Sequence, residues 1–239
     1  MHLTAAENKK MKFFFVFLLM APLFISCNNK NNTPDVSNIK IELDTRHFEQ
    51  DLFKMDTTYF AGNLDKLIAS YPSFGENFLA TILNSDPKWS PDSTADYVHG
   101  FITAYKPVYD SAQVVFKDFS KYEKEIKQAL RFVKYYFPGF KDRKKIITYI
   151  GPLDGYGDIL SDDAFIIGLQ HHLGKSYSLY KSALVQETYP EYISSRFTPD
   201  YIAVNCMKNV INDLYPEKMD DKPLVQQMVE KGKRLFILS

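Results

Sequence analysis

The chain has 239 residues, of which 45% are hydrophobic and 24% are charged, so it is long and apolar enough for one sizeable globular domain. This composition excludes a wholly disordered or wholly membrane-embedded protein. Its 29 basic and 29 acidic residues give a formal net charge of +0 without basic blocks, which excludes the clustered Lys and Arg that nucleic-acid phosphates require.

The first 26 residues have the pattern of a secretory signal. Lysines precede an unbroken apolar run over residues 13–25, which suits a signal peptide and is too short for a transmembrane helix of about 20 residues. The run ends in LFISC, which resembles a bacterial lipobox that finishes at Cys27. We predict a lipoprotein signal peptide over residues 1–26 and acylation of Cys27. The alternative is an ordinary cleaved signal with an incidental cysteine.

Residues 27–38 are predicted to form a polar tether. Residues 28–34 are rich in asparagine and offer no apolar side chain that could pack. Each methylene of an acyl chain such as palmitate contributes about 0.8 kcal/mol of favourable free energy when it is buried in a membrane. A multiply acylated cysteine therefore holds a domain at the membrane surface. With Cys27 acylated, Cys206 is the remaining thiol, which excludes a disulfide within the mature chain.

Residues 39–239 are predicted to form a single α+β domain, mostly helical with a small β-sheet. Short alternating or β-branched runs predict strands near 39–43, 145–150 and 159–169. Apolar residues at helical spacing predict helices at residues 63–70, 74–83, 92–105, 120–137, 177–189, 198–214 and 222–238. The apolar residues of 46–55 are spaced for a helix or for an irregular apolar edge.

Caps and prolines set the expected helix boundaries. Asp92 or Ser93 is the predicted N-cap of the helix at 92–105, and Thr198 is the predicted N-cap of the helix at 198–214. Pro107 is predicted to mark a kink or a fresh start. The chain ends in an apolar run, residues 235–238, from which we expect a chain that is truncated at its C-terminus or that docks its tail.

The polar residues best placed for chemistry lie between residues 144 and 177. His171 and His172 are adjacent, so their side chains diverge on a helix or a strand and cannot easily share one metal ion. The turn DGYGDILSDD, residues 154–163, lacks the ligand order of an EF-hand loop. We predict a surface or partly buried histidine pair, a glycine-shaped turn and no metal or other cofactor. A cation site using Asp158, His171 and His172 is the alternative.

The helix at 198–214 carries a polar stripe of three asparagines, Asn205, Asn209 and Asn212. Asn205 and Asn209 have the spacing of the two histidines in an H-E-x-x-H zinc helix, but asparagine does not replace imidazole and the glutamate base is missing. An ordinary amphipathic helix and a degenerate metallopeptidase helix, with a distantly metallopeptidase-like architecture, both remain open. Cys206 is predicted to be a buried core thiol, and we predict no catalytic residue.

Two segments, IIGLQHHLGKSY and YPEYISSRFTPDYI, together with the lipobox resemble the gliding-motility-associated lipoprotein (GldB) family of Bacteroidota. The resemblance covers roughly residues 39–214. The residues that carry it are Gly168, Leu169, Leu173, Gly174, Lys175, Pro190, Tyr192, Arg196, Phe197 and Pro199.

The resemblance implies an envelope lipoprotein associated with gliding motility or its linked secretion machinery. It implies a membrane contact through the lipid anchor, contacts with other envelope or gliding-machinery proteins, and no established enzymatic activity. The alternative is a degenerate or intact zinc-peptidase-like enzyme. Family members generally continue beyond this chain's last residue. Surface-exported lipoproteins of Bacteroidota usually carry acidic residues after the acylated cysteine, and residues 28–32 have none. We therefore expect an anchor in the outer membrane that faces the periplasm.

Overall fold

The computed structural model describes residues 33–216 and 222–238, with side chains up to residue 234. Residues from Val36 onward form one compact unit, and the fold below is that unit. The predicted signal peptide, Cys27 and residues 28–32 of the tether lie outside the described residues. The predicted end of the tether at residue 38 is too late, because Val36 is buried in the compact unit. Among the helices of the described part, none is long and apolar enough to cross a membrane.

A four-stranded sheet lies at the centre of the unit, in the order β1-β2-β4-β3. The strands are β1 (Asp44–His47), β2 (Lys145–Tyr149), β3 (Ile159–Leu160) and β4 (Ala164–Gly168). Strands β1, β2 and β4 run parallel, whereas β3 is antiparallel to β4. Strand β4 is buried throughout, which explains its continuous apolar run AFIIG, and β2, KIITY, is buried from Ile146 onward.

Helices surround this sheet. They are α1 (Phe48–Phe53), α2 (Phe60–Ser70), α3 (Pro91–Val115), α4 (Ser120–Tyr136), α5 (Ala183–Thr188), α6 (Glu191–Ser194), α7 (Ile202–Leu214) and α8 (Leu224–Leu238). A short α-helical turn, Gly75–Asn77, continues into a π-helical turn, Phe78–Ile82, between α2 and α3. The predicted α+β class, mostly helical with a small sheet, is confirmed. Its metallopeptidase-like variant stays a prediction.

Alternate residues of the strands enter two separate apolar clusters. Ile146 of β2 and Phe165 of β4 pack in one cluster with α4 and α7. Ile147 and Ile166, their neighbours in sequence, pack in the other with α1, α2 and the first half of α3. Successive side chains of a strand point to opposite faces, so the sheet is covered by helices on both sides.

Two of the three predicted strands need correction. The strand predicted at 39–43 is wrong, because pairing with β2 starts only at Asp44. Ile41 and Leu43 pack against the core as unpaired extended chain, and the Ile39 carbonyl accepts a hydrogen bond from Arg131 Nε at 3.1 Å. The strand predicted at 159–169 is two strands joined by a turn, in which the Ser161 amide binds the Ala164 carbonyl at 2.9 Å. The strand at 145–150 is confirmed.

The helix boundaries differ from the predicted ones where caps or prolines were misread. Helix α3 begins at Pro91 because Ser90 Oγ accepts the Ser93 amide at 3.1 Å, so the predicted caps Asp92 and Ser93 are wrong. The helix also continues past Pro107, where the residues that follow are buried and packing supports the turn. Thr198 makes no side-chain cap, and a 3₁₀ turn, Pro199–Tyr201, precedes α7.

Two predicted helices are interrupted. The segment at 177–189 splits into a 3₁₀ turn, Ser178–Lys181, and helix α5. The segment at 74–83 splits into the α-helical and π-helical turns described above. Helix α1 is shorter than its predicted range of 46–55, because the residues before Phe48 belong to strand β1. The predictions at 63–70, 120–137 and 222–238 are confirmed to within three residues.

Candidate functional site

A buried ion pair lies beside the carboxyl end of strand β4. His172 Nε2 is 2.9 Å from Asp158 Oδ2, and these side chains are only 1% and 5% exposed, respectively. Asp158 lies on the loop that leads from β2 to β3, and His172 follows the 3₁₀ turn Leu169–His171 after β4. The pair therefore joins two loops that the sheet brings together.

Backbone and amide groups surround the Asp158 carboxylate. The Gly168 amide donates to Oδ1 at 3.1 Å, and Asn205 Nδ2 donates to Oδ2 at 2.8 Å. One turn further along α7, Asn209 Nδ2 donates to the Asp158 carbonyl at 3.0 Å. Burial raises the pKa of Asp158, but the His172 charge and these hydrogen bonds outweigh it, so the pKa lies below 3.8. Asp158 is thus a carboxylate with its acceptor sites occupied.

The two nitrogens of His172 both face acceptors. Nδ1 is 3.1 Å from the Thr198 carbonyl, which cannot donate, and Nε2 faces the Asp158 carboxylate. Both nitrogens must therefore carry protons. Burial lowers the pKa of His172, yet the charge of Asp158 and its hydrogen bond raise it more, so the pKa is above 6.5. His172 is an imidazolium held inside the protein.

His171, the residue before His172, differs from it in charge. Its Nε2 donates to the Leu153 carbonyl at 2.9 Å, and its ring stacks on Phe197 with centroids 4.4 Å apart. Burial lowers the pKa of His171 to about 4, so the ring is neutral at pH 7. A Cβ on Gly157 would lie 2.9 Å from His171 Nδ1, which explains the glycine at that position.

The positions of His171 and His172 test the predictions made about this pair. The expected divergence of the two side chains is confirmed, because they bind different partners: His171 binds the Leu153 carbonyl, whereas His172 binds the Asp158 carboxylate. The predicted surface or partly buried location is wrong, since both residues are buried within a polar network. Among residues 33–216 and 222–238, no three His, Cys, Asp or Glu side chains are grouped in a way that could hold a metal ion. The absence of a cofactor stays a prediction.

The asparagine stripe of α7 is explained in part by the same network. Asn205 and Asn209 both bind Asp158, whereas Asn212 is exposed and accepts from Arg234. The stripe was visible in the sequence, but its partner lies 47 residues away. Cys206, between the two asparagines, is buried as predicted, and burial raises the pKa of its thiol well above the usual range.

A second polar cluster was missed by the sequence analysis. The carboxylate of Glu49, 1% exposed, accepts from Thr148 Oγ1 at 2.7 Å, and His47 Nδ1 is 2.9 Å from the same hydroxyl. A hydrogen bond with Glu49 raises the pKa of His47. The nearby Tyr109 hydroxyl is buried and has no hydrogen-bond partner among the described residues. Glu49 and Thr148 are 99 residues apart, and neither belongs to a recognisable motif.

The signature residues named in the sequence analysis lie on two segments that meet at the ion pair. Gly174 has φ of +102°, a conformation that glycine adopts readily, and its amide donates to the Phe197 carbonyl at 2.9 Å. The Leu173 amide donates to Tyr180 Oη at 2.9 Å. Pro190 precedes α6, and Tyr192 is 73% exposed on it. The signature therefore describes how residues 168–175 pack on residues 190–199.

The model of a protein family described as gliding motility protein GldB matches residues 29–239. The chain belongs to this family. The matched range includes the ion pair, both signature segments and both clusters of the core, so the GldB family resemblance is confirmed over a longer range than the sequence analysis assigned to it. No curated protein and no solved structure matches the chain.

The two histidines of this GldB-family chain predict a pH-dependent stability. The pKa of His171 falls from 6.5 to about 4 on folding, so the unfolded chain binds more protons between these pH values and stability rises with pH there. At 1.36 kcal/mol per pKa unit, the free energy of unfolding should gain about 3 kcal/mol across this window. We expect His171→Gln to lose that slope in urea unfolding followed by circular dichroism at pH 4.5, 5.5 and 6.5.

The exposed residue His99 provides the control, because His99→Gln should leave the slope unchanged. His172 has the opposite sign, since its raised pKa gives stability that is present below pH 6.5 and is lost as pH rises through the folded value. Asp158 contributes above pH 3.8 and loses its contribution as pH falls through its lowered pKa. If the free energy of unfolding of His171→Gln kept the wild-type dependence on pH, the lowered pKa assigned to His171 would be wrong.

Proposed function

We propose that this protein is a lipid-anchored envelope protein that serves gliding motility or its linked secretion machinery through protein-protein contacts. The observation that carries the proposal is the family match over residues 29–239, which begins two residues after Cys27. The domain would act as a scaffold at the membrane, with partners among the other envelope or gliding-machinery proteins.

The anchor would be a multiply acylated Cys27, with palmitate among its acyl groups, after removal of residues 1–26. The sequence LFISC supports this, and the polar residues between Cys27 and the start of the compact unit at Val36 would give the domain reach from the membrane. Residues 28–32 contain no acidic side chain, which supports retention on the periplasmic face of the outer membrane of a Bacteroidota cell.

The burial of the polar network supports a structural role for it. The side chains of Asp158, His171 and His172 are at most 5% exposed. The Asp158 carboxylate, both ring nitrogens of His172 and Nε2 of His171 are hydrogen-bonded to groups inside the protein. A general acid or base must reach a proton on the substrate at about 2.6–3.2 Å, and these groups face other residues of the chain instead. Catalysis is therefore not part of the proposal. Stoichiometric zinc that is lost in a His171→Gln/His172→Gln double variant would overturn this and favour the zinc-peptidase-like alternative.

Replacing Cys27 with serine should separate the domain from the membrane. In a gliding bacterium whose own family member is deleted, we expect the wild-type gene to restore spreading and Cys27→Ser to fail, because the acyl chains that hold the domain are lost. Radiolabelled palmitate should enter the wild-type protein and not the variant, which should move to the soluble fraction.

Cys206→Ser is the matched control, since it changes the other cysteine of the chain and should keep both the label and the membrane fraction. Persistence of the label in Cys27→Ser would defeat the anchor. Full restoration of spreading by a non-acylated variant would defeat the proposal that the protein works at the membrane.

A further inference from the structure

A surface groove lies between α2 and the beginning of α3, on the side of the domain that carries the chain's single tryptophan. Its volume is about 410 Å³. Leu64, Ile68 and Leu79 form its apolar part, and Trp89 lines it together with the carboxylates of Asp65 and Glu76. We call this feature the Trp89 groove.

The tryptophan is held in place although 41% of its side chain is exposed. Its ring meets Tyr97 edge to face, with centroids 5.1 Å apart, and Tyr97 Oη donates to the Leu83 carbonyl at 2.8 Å. A large aromatic side chain that is already positioned loses little conformational entropy when a ligand covers it, and such residues dominate binding energies at protein interfaces.

The charge of the groove selects the ligand. Asp65 and Glu76 are exposed, and among the described residues neither has a salt bridge or a side-chain hydrogen bond. The lining contains no Lys or Arg that could neutralise them. An aromatic face, an apolar floor and two carboxylates together match a side chain with an aliphatic stem and a cationic head.

We propose that the Trp89 groove binds an Arg- or Lys-containing segment of a partner protein. The stem of the basic side chain lies against Trp89 and Leu79, and its head points to Asp65 and Glu76. A flanking apolar residue of the segment covers Leu64 and Ile68. The inference rests on the proposed function in one respect, that the ligand is a protein. The chemistry of the groove does not depend on the lipid anchor.

Trp89 itself reports on this site, because the chain has no other tryptophan. The full chain in detergent would be titrated with the peptide acetyl-Ala-Leu-Arg-Leu-Ala-amide, with its Lys counterpart, and with a version carrying Glu in place of Arg. We expect the two cationic peptides to change the tryptophan emission saturably and the acidic peptide to have no effect. Raising the salt concentration should weaken the response.

The variant Asp65→Asn/Glu76→Gln should bind the cationic peptides about tenfold more weakly, a change of about 1.4 kcal/mol. Both residues are exposed, so the variant is expected to fold. Glu42→Gln/Asp162→Asn is the matched control, since it removes one Asp and one Glu charge from exposed positions outside the groove. The control should bind as the wild type does. No saturable response to either cationic peptide, or an equal response in Asp65→Asn/Glu76→Gln, would overturn the proposal.

A cross-linking experiment distinguishes a partner protein from a second copy of this chain. A photoreactive amino acid at Thr94, which lines the groove, would be introduced into the full-length protein in cells. We expect a cross-link to a different protein at a segment next to Lys or Arg, and we expect Asp65→Asn/Glu76→Gln to abolish it. A cross-linked dimer of this chain would overturn the proposal. Membrane retention and spreading of Cys27→Ser test the proposed function separately, so either proposal can fail alone.

Discussion

Replacing Asp158 with alanine is expected to lower the free energy of unfolding by about 3–5 kcal/mol. The substitution leaves the His172 imidazolium buried without its counter-charge, and it also leaves the Gly168 amide and Asn205 Nδ2 without their acceptor. Breaking a buried pair on one side costs more than the pair contributes, because the remaining charge is neither hydrated nor neutralised.

Urea unfolding at pH 7, followed by circular dichroism, measures the loss. Asp110→Ala is a suitable control, because Asp110 pairs with Lys106 at a site where both side chains are more than half exposed and such pairs contribute little. The double variant Asp158→Ala/His172→Ala should lose less than the sum of the two single variants. A single variant of Asp158 that unfolds at the wild-type urea concentration would contradict the buried ion pair.

Truncating Phe48 is expected to have the second large effect on the free energy of unfolding. Phe48 is completely buried, and its ring lies edge-on to Tyr71 and Phe74 with centroids 5.0 Å apart in both pairs and 4.7 Å from Phe78. Phe48→Ala opens a cavity at the point where α1, α2 and the π-helical turn meet. Phenylalanine-to-alanine changes in cores cost about 3–5 kcal/mol, and we expect a loss in this range in the same urea experiment.

Tyr192→Ala offers the comparison for Phe48→Ala, since Tyr192 is also aromatic but 73% exposed. Its removal should change the free energy of unfolding by no more than about 0.5 kcal/mol. If Phe48→Ala lost less than about 1 kcal/mol, the aromatic cluster around α1 would be packed differently from the structure described above.

The helices and strands that could be predicted are those whose burial shows as a local pattern. In α4, the buried residues Tyr122, Ile126 and Leu130 recur every four positions, and the prediction was accurate to one residue. Strand β2 was found through its β-branched residues. Strand β1 is polar, with the sequence DTRH, and it forms because its backbone pairs with β2 far along the chain. No local pattern records such a partner.

The same limit applies to the polar sites. Asn205 and Asn209 stood out as a stripe on α7, and His172 stood out beside His171, but the residue that joins them is Asp158 on a separate loop. The sequence analysis predicted that the two histidine side chains diverge, which is confirmed, but it could not show that both are buried. Glu49 was missed because a single glutamate in a short helix is usually exposed.

The parallel pairing of β1 with β2 also bears on how the chain reaches its native state. Residue 44 lies opposite residue 145, so this pairing closes a loop of about 100 residues. Contacts between distant parts of a chain form slowly, because the entropy of loop closure is lost before the contact stabilises anything. The central sheet cannot assemble until the residues of β2 and β4 are available. For the exported chain that we propose, this topology predicts that the sheet forms only after the residues of β2 and β4 have left the translocation channel.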